Sequence, residues 1–306
     1  MYSLCELLKK LGVSYKQAGK KAEDTFGSIM PLSQADEKSL IFFNKPDDGT
    51  FELLLHANCA VVLLEKNWGM KHFDEINDIE ASIFLVEYPR VIISRIMTLI
   101  YPDDDQYYEG IHPTTHIHPE ARIHPTVSIG PYCIIGKCEI GENSRIHAFT
   151  VIKDNSVIGK NVIIRESCLI GGCGFGFVRD HDGSLERMPH IGRVVIEDHV
   201  ELFPYVNVDR GALDETRIKK GTKIDHYSHI GHNCLVGEYC LITAGTVLCG
   251  GSSIGARSWA GVGSIIKEKV SVDDDVTIGL GAVVVKKVEK GTIVAGVPAR
   301  PLKKGL

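Results

Sequence analysis

A repeat of six residues constrains this chain more than any other feature. From position 218 to position 284 every sixth residue is aliphatic, and eleven of these twelve residues are Ile, Leu or Val. The twelve positions are Ile218, Ile224, Ile230, Val236, Ile242, Leu248, Ile254, Ala260, Ile266, Val272, Ile278 and Val284. A period of six fits neither a helix nor simple strand alternation, and it is typical of a parallel β-helix whose short strands each turn one aliphatic side chain inward. Three such strands close a triangular coil of eighteen residues.

An eighteen-residue coil places residues that are distant in the chain side by side. A residue and its eighteenth successor should lie on the same face of adjacent coils, about 4.8 Å apart. His232 and Gly250 have this separation. The sequence therefore predicts that the His232 side chain lies beside the backbone of Gly250.

The repeat begins at Ile111 and, with one residue dropped after Ile135, runs to Ile170. It is interrupted at 171–190, a stretch rich in glycine and charge that we expect to project as a loop, and again at 209–216. Its twenty-six aliphatic positions make about nine coils, which must stack because one coil cannot bury enough apolar surface alone. We assign residues 106–291 to the β-helix and residues 292–306 to a carboxyl-terminal tail.

Residues 1–105 read as a small, separate α/β domain. Residues 3–11 have helical spacing of leucines, and residues 39–43 and 57–64 are short apolar runs typical of buried strands. A second helix is predicted to start at residues 87–89 and to end at Pro102. The acidic residues 103–105 are interpreted as a linker.

Composition narrows the class of protein. A net charge of -5 over 306 residues argues against a general nucleic-acid binder. Neither a signal peptide nor a membrane span is expected, so a cytoplasmic location is predicted. The nine cysteines show no disulfide or zinc spacing. Four of them follow an aliphatic position by four residues and should be small side chains inside the coil: Cys133, Cys168, Cys234 and Cys240.

Three segments resemble the UDP-3-O-acylglucosamine N-acyltransferase (LpxD-like) family. They are the glycine-rich loop 172–177, the run 208–216 with its Asp-Arg-Gly-Ala-Leu sequence, and residues 224–233, which end in Gly-His-Asn. The resemblance implies a left-handed parallel β-helix, a homotrimer, and transfer of an acyl group from a thioester to the amine of a nucleotide-linked amino sugar in lipid A or surface-polysaccharide synthesis. Acyl-CoA or acyl carrier protein would be the co-substrate, and no other cofactor is expected.

The resemblance also implies roles for single residues. His232 would be the general base, which suits histidine because its ordinary pKa lies near neutrality. The Gly250 backbone would stabilise the oxyanion, and Asp225 would orient the base or hold the amine. The residues implied in substrate binding are Phe42, Asn44, Gly174, Phe175, Gly176, His190, Asp209, Arg210 and Asn233.

The chain departs from the family pattern at several points. Lys269 stands where the family has a second histidine, His190 stands where it has a glutamine, and no aromatic partner for a base is evident near Asn44. The ending 295–300 is similar to that of coenzyme A-dependent hexapeptide acetyltransferases. This ending favours acyl-CoA slightly over acyl carrier protein as the donor.

Two other functions remain open: a metal-dependent hydrolyase on the same scaffold, and a non-catalytic module that binds a sugar nucleotide. His226, His229 and His232 have a spacing of three, but 226 and 232 fall on different faces of a triangular coil, so no metal site is predicted. His112, His118 and His124 each precede a proline and are expected to be surface turn residues.

Overall fold

The computed structural model describes residues 1–55, 59–101 and 107–302. The chain divides into two compact units, Met1–Asp105 and Gln106–Leu306. The first two residues of the predicted strand 57–64, the predicted helix end at Pro102 and the predicted acidic linker lie outside the described residues.

The first unit is built around a five-stranded sheet. In sheet order its strands are Lys16–Ala18, Ser82–Val86, Val61–Glu65, Ser39–Phe43 and Ser28–Ile29. The first pairs antiparallel, whereas the other four are mutually parallel. A separate antiparallel pair joins Tyr2–Ser3 to Thr25–Phe26. The helices are Leu4–Lys10, Asp48–Leu55, Lys66–Lys71, Phe73–Asn77 and Pro89–Ile100, with a 3-10 turn at Leu32–Gln34.

The apolar runs that predicted strands in this unit are buried on both sides of the sheet. Val61–Glu65 and Ser82–Val86 contribute alternate residues to two separate apolar clusters, as expected for parallel strands covered by helices on both faces. The predicted helix at 3–11 is observed at Leu4–Lys10, where the Ser3 hydroxyl accepts the Glu6 N–H. The α/β class is therefore confirmed. Pro89–Ile100 is the longest helix among the described residues, and its 12 residues fall short of the roughly 20 that a membrane crossing needs.

The second unit consists of three sheets of stacked short strands that enclose one apolar interior. Face 1 contains Ser128–Ile129, Arg145–Ile146, Ile163–Ile164, Glu201–Leu202, Lys223–Ile224, Leu241–Ile242, Trp259–Ala260, Thr277–Ile278, Ile293–Ala295 and Arg300–Pro301. Face 2 contains His116–Ile117, Ile134–Ile135, Val151–Ile152, Leu169–Gly172, Asn207–Asp209, His229–Ile230, Val247–Leu248, Ile265–Ile266 and Val283–Val284. Face 3 contains Arg122–Ile123, Glu139–Ile140, Val157–Ile158, Arg193–Ile196, Glu215–Ile218, Leu235–Val236, Ser253–Ile254 and Ser271–Val272.

The six-residue repeat has the predicted geometry. Ile230 pairs in parallel with Leu248, its eighteenth successor. Every aliphatic position of the repeat from Ile129 to Val284 is buried, whereas Ile111 in the first coil is 46% exposed. The cysteines predicted to fill the interior, Cys133 and its three counterparts, are all buried. The triangular β-helix predicted from the period is confirmed.

The two interruptions of the repeat, at 171–190 and 209–216, lie next to each other. Within 171–190, the strands Phe177–Arg179 and Leu185–Arg187 form an antiparallel hairpin that projects as predicted. The base of this insertion packs on the second insertion so closely that a Cβ on Gly192 would overlap the carbonyl oxygen of Asp214. The stack of strands continues beyond residue 291, although the tail was predicted to begin at residue 292. Ile293–Ala295 pairs in parallel with Thr277–Ile278.

Candidate active site

His232 lies at the corner between face 2 and face 3, two residues after the strand His229–Ile230. Its backbone carbonyl accepts a hydrogen bond from the Gly251 N–H at 2.7 Å. A Cβ placed on Gly250 would lie 2.5 Å from Nε2 of His232 and 2.7 Å from Cε1. The predicted proximity of the His232 ring and the Gly250 backbone is confirmed, and only glycine leaves room for the ring there.

Asn233 orients the His232 ring. Its backbone is left-handed, with a φ of 59°, a conformation that asparagine tolerates better than most residues. The amide oxygen accepts the Ala212 N–H at 3.0 Å and lies 3.1 Å from Nδ1 of His232. Because a carbonyl oxygen only accepts, we infer that Nδ1 carries the proton in this contact. The Nε2 lone pair is then free beside Gly250.

His190 covers the His232 ring. The two rings are stacked with centroids 4.8 Å apart and planes inclined by 28°. His190 is only 6% exposed, and its Nδ1 is buried without a hydrogen-bond partner among the residues that the structure describes. Burial lowers the pKa of His190, and the neighbouring His232 lowers it further. The sequence marked His190 only as a substrate contact, whereas the structure joins it to the predicted base.

Asp209 is a buried carboxylate next to these imidazoles, 7% exposed at the end of the strand Asn207–Asp209. The Asn207 amide donates to Oδ1 at 3.1 Å, and Nε2 of His229 lies 3.7 Å from Oδ2. Burial raises the pKa of Asp209, although the Asn207 hydrogen bond and the nearby histidines work in the opposite direction. The site thus combines one buried carboxylate with several imidazoles at one corner.

The glycine-rich loop closes this corner from the outside. Gly174 is buried against both rings, because a Cβ there would lie 2.6 Å from Cε1 of His190 and 3.0 Å from Cδ2 of His232. Arg210 fixes the start of the loop, because its Nε donates a hydrogen bond to the Gly171 carbonyl at 2.8 Å. Phe175 points away and is 89% exposed. The structure therefore brings most of the predicted residues of this unit together, with Phe175 facing outward.

Within one protomer, Asp225 lies apart from the residues around His232. It lies at the preceding corner, between face 1 and face 2, where its carboxylate contacts Nδ1 of His226 at 2.6 Å and accepts the His226 N–H at 2.8 Å. Burial alone would raise the pKa of Asp225, but these hydrogen bonds lower it overall. Within one protomer Asn233 contacts the His232 ring and Asp225 contacts His226. A contact of Asp225 with the substrate amine stays a prediction.

Comparisons with known proteins agree with this geometry. Residues 137–172 and 215–250 match the bacterial transferase hexapeptide family (six repeats). The UDP-3-O-acylglucosamine N-acyltransferase of Rhizobium meliloti (strain 1021) is 31% identical over 148 residues, which are 48% of this chain and 42% of that protein. The protein of the same name from Coxiella burnetii (strain Dugway 5J108-111) is 25% identical over 243 residues, which are 73% of this chain and 67% of that protein. The chain thus carries the bacterial transferase hexapeptide repeat and is similar to these N-acyltransferases over part of its length.

Solved structures support the β-helical fold. A UDP-N-acetylglucosamine acyltransferase from Francisella novicida superposes with a TM-score of 0.58 at 27% identity, over 63% of this chain and 69% of that one. LpxA from Bacteroides fragilis superposes with a TM-score of 0.56 at 24% identity, over 62% and 73% of the two chains, and supports the fold alone. The β-helix is left-handed, as the resemblance implied.

The first unit has a cavity of about 630 Å³ at the carboxyl ends of its parallel strands. Asn44, for which substrate binding stays a prediction, lines it together with Trp68 and Tyr88, which the sequence interpretation missed. Phe42 does not line it: this side chain packs in an apolar cluster with Leu40. Trp68 and Tyr88 could have been identified from the sequence because they come just after buried strands, and ligands bind at the carboxyl ends of strands in open parallel sheets.

Metal ligation has no support in the described residues of this protein. Within residues 1–55, 59–101 and 107–302, no group of three His, Cys, Asp or Glu side chains is arranged to hold an ion. His226 and His229 contact different carboxylates, Asp225 and Asp209.

Proposed function

We propose that this protein transfers an acyl group from a thioester to the amine of a nucleotide-linked amino sugar in lipid A or surface-polysaccharide synthesis. The observation that carries the proposal is the His232 ring, held by Asn233 with Nε2 free beside the Gly250 backbone. The names of the relatives point to the same reaction, although the chain spans only 42% of the first relative's length.

The residues suit each step of this chemistry. As the amine nitrogen bonds to the thioester carbon, Nε2 of His232 accepts the proton that the nitrogen loses. The carbonyl oxygen becomes an oxyanion, and the Gly250 N–H, which has no hydrogen-bond partner among the described residues, would donate to it. The carbon–sulfur bond then breaks, and the leaving thiolate takes the proton back from the His232 imidazolium. Asn233 stabilises that imidazolium through Nδ1.

The cavity of the first unit is proposed to bind the nucleotide part of the acceptor. Trp68 and Tyr88 offer aromatic faces for a base, and Asn44 offers hydrogen bonds to its edge. Lys45 and Lys71 also line the cavity and provide positive charge for phosphates.

A direct assay tests the reaction. We expect UDP- or dTDP-linked amino sugars incubated with an acyl thioester to gain the mass of one acyl group, with release of one free thiol per amide formed. The same acyl group should be supplied on coenzyme A and on acyl carrier protein, and we expect the coenzyme A ester to react somewhat faster. A hundredfold preference for the carrier protein would reverse the choice of donor. Binding of the sugar nucleotide without turnover on either donor would instead favour the non-catalytic module.

We further propose a homotrimer with its active sites between protomers. The glycine-rich loop leaves His232 half-buried, and the side of a single solenoid cannot by itself enclose an acyl chain and a sugar nucleotide. Sedimentation equilibrium should give three times the chain mass of 33.6 kDa. A monomer with full activity would contradict the proposal. The cytoplasmic location stays a prediction.

A further inference from the structure

His190 has no task in the mechanism above, yet it is the most enclosed ring of the site. It reaches His232 from the projecting insertion, three residues after the strand Leu185–Arg187, and stacks on the His232 ring at a centroid distance of 4.8 Å. Its 6% exposure contrasts with the half-buried state of His232. A buried histidine is costly unless it contributes to structure or function.

The glycine-rich loop fixes the His190 ring in this place. A Cβ on Gly174 would lie 2.6 Å from Cε1 of His190, and a Cβ on Gly176 would lie 3.0 Å from Nε2. Both glycines therefore allow the backbone to pack directly on the ring. Because His190 is clamped in this way, it restricts the plane in which the His232 ring can lie.

The charges around His190 decide its protonation. His232 stacks on it, Asp209 lies nearby as a buried acid, and Arg187 approaches from the hairpin. His229 faces the far side of Asp209 at 3.7 Å. Burial, His232 and Arg187 all favour the neutral form of His190, and only Asp209 and the Gly174 backbone favour the charged form. A second positive charge on the stacked pair of rings is therefore unfavourable.

We propose that His190 is a positioning residue: its neutral ring, clamped by Gly174 and Gly176, holds the His232 ring in the plane in which Nε2 faces the substrate amine. This inference rests on the proposed function. When His232 takes the proton, a neutral aromatic ring stacked on the new imidazolium stabilises it, whereas a charged ring would repel it. Protonation of His190 and of His232 should therefore be mutually unfavourable.

Two substitutions of His190 distinguish the contribution of its flat ring from that of its ring nitrogens. His190→Ala should lower kcat about tenfold with less than a threefold change in KM, because the misplaced base affects the chemical step rather than substrate binding. His190→Phe restores a flat ring and should recover most of the lost kcat. His181→Ala, at the exposed tip of the same hairpin, is the matched control and should leave both constants unchanged. Equal losses of kcat in the Ala and Phe variants, or a loss confined to KM, would overturn the proposal.

A titration of the resting protein provides a readout that does not need the reaction. Histidine ring signals in NMR should show the pKa of His190 rising in His232→Gln, because the substitution removes a positive charge that, after burial, does most to keep this pKa low. An unchanged His190 titration in an active enzyme would refute the coupling and leave the proposed function intact. Coupled titrations in a protein without acyltransfer activity would refute the proposed function but not the contact between the rings.

Discussion

Replacement of His232 by alanine should lower turnover about 10²- to 10⁴-fold, the range typical of a positioned general base. The fold should survive, because His232 is half-buried at a corner and supports no residue of the apolar interior. Its side chain contributes one hydrogen bond to Asn233 and one stacked ring. We therefore expect the melting temperature to change by only a few degrees, equivalent to about 1 kcal/mol.

The pH dependence should change with the rate. Activity of the parent enzyme should rise with pH as the base loses its proton, and His232→Ala should lose this rise and follow the free-amine fraction of the substrate instead. His124→Ala, at an exposed corner of an early coil, is a matched control that should keep the parent profile. If His232→Ala retains more than about a third of the turnover at neutral pH, His232 is not the base.

The central contact of the site could be predicted because it follows from the period of the repeat alone. A step of eighteen residues places His232 against Gly250 whatever the rest of the chain does. The stacking of His190 could not be predicted in this way. This residue arrives through an insertion that breaks the repeat, and its position depends on how the hairpin and the glycine-rich loop fold back on the corner.

The roles of Asn233 and Asp225 differ for a local reason. Asn233 is the third residue after an inward aliphatic position, where Asn143, Asn155 and Asn161 are also left-handed. At this turn its side chain bends back to the preceding residue, and the recurrence of asparagine was the signal for it. Asp225 is held by the ring and the N–H of His226, a competition between adjacent side chains that neither spacing nor family resemblance reveals.

Replacement of Gly250 by alanine should lower turnover at least about 10²-fold, although it adds a single methyl group. The backbone of Gly250 is not left-handed, unlike that of Gly251 with its φ of 70°, so alanine is not strained there by its own conformation. The added Cβ would lie 2.5 Å from Nε2 of His232, and the ring must rotate away. Displacement of the base and shielding of the oxyanion donor by the rotated ring are each expected to lower turnover about 10²-fold.

A double-mutant cycle distinguishes this steric mechanism from general damage to the coil. If Gly250→Ala acts by displacing the ring, it should add little to the loss already caused by His232→Ala, because the truncated side chain no longer meets the Cβ. Gly245→Ala is the control, since its Cβ would meet nothing within 4 Å but its φ of 67° strains alanine. It should reduce thermal stability and leave turnover unchanged. Additive losses of turnover in the double variant would show that Gly250 does not act through His232.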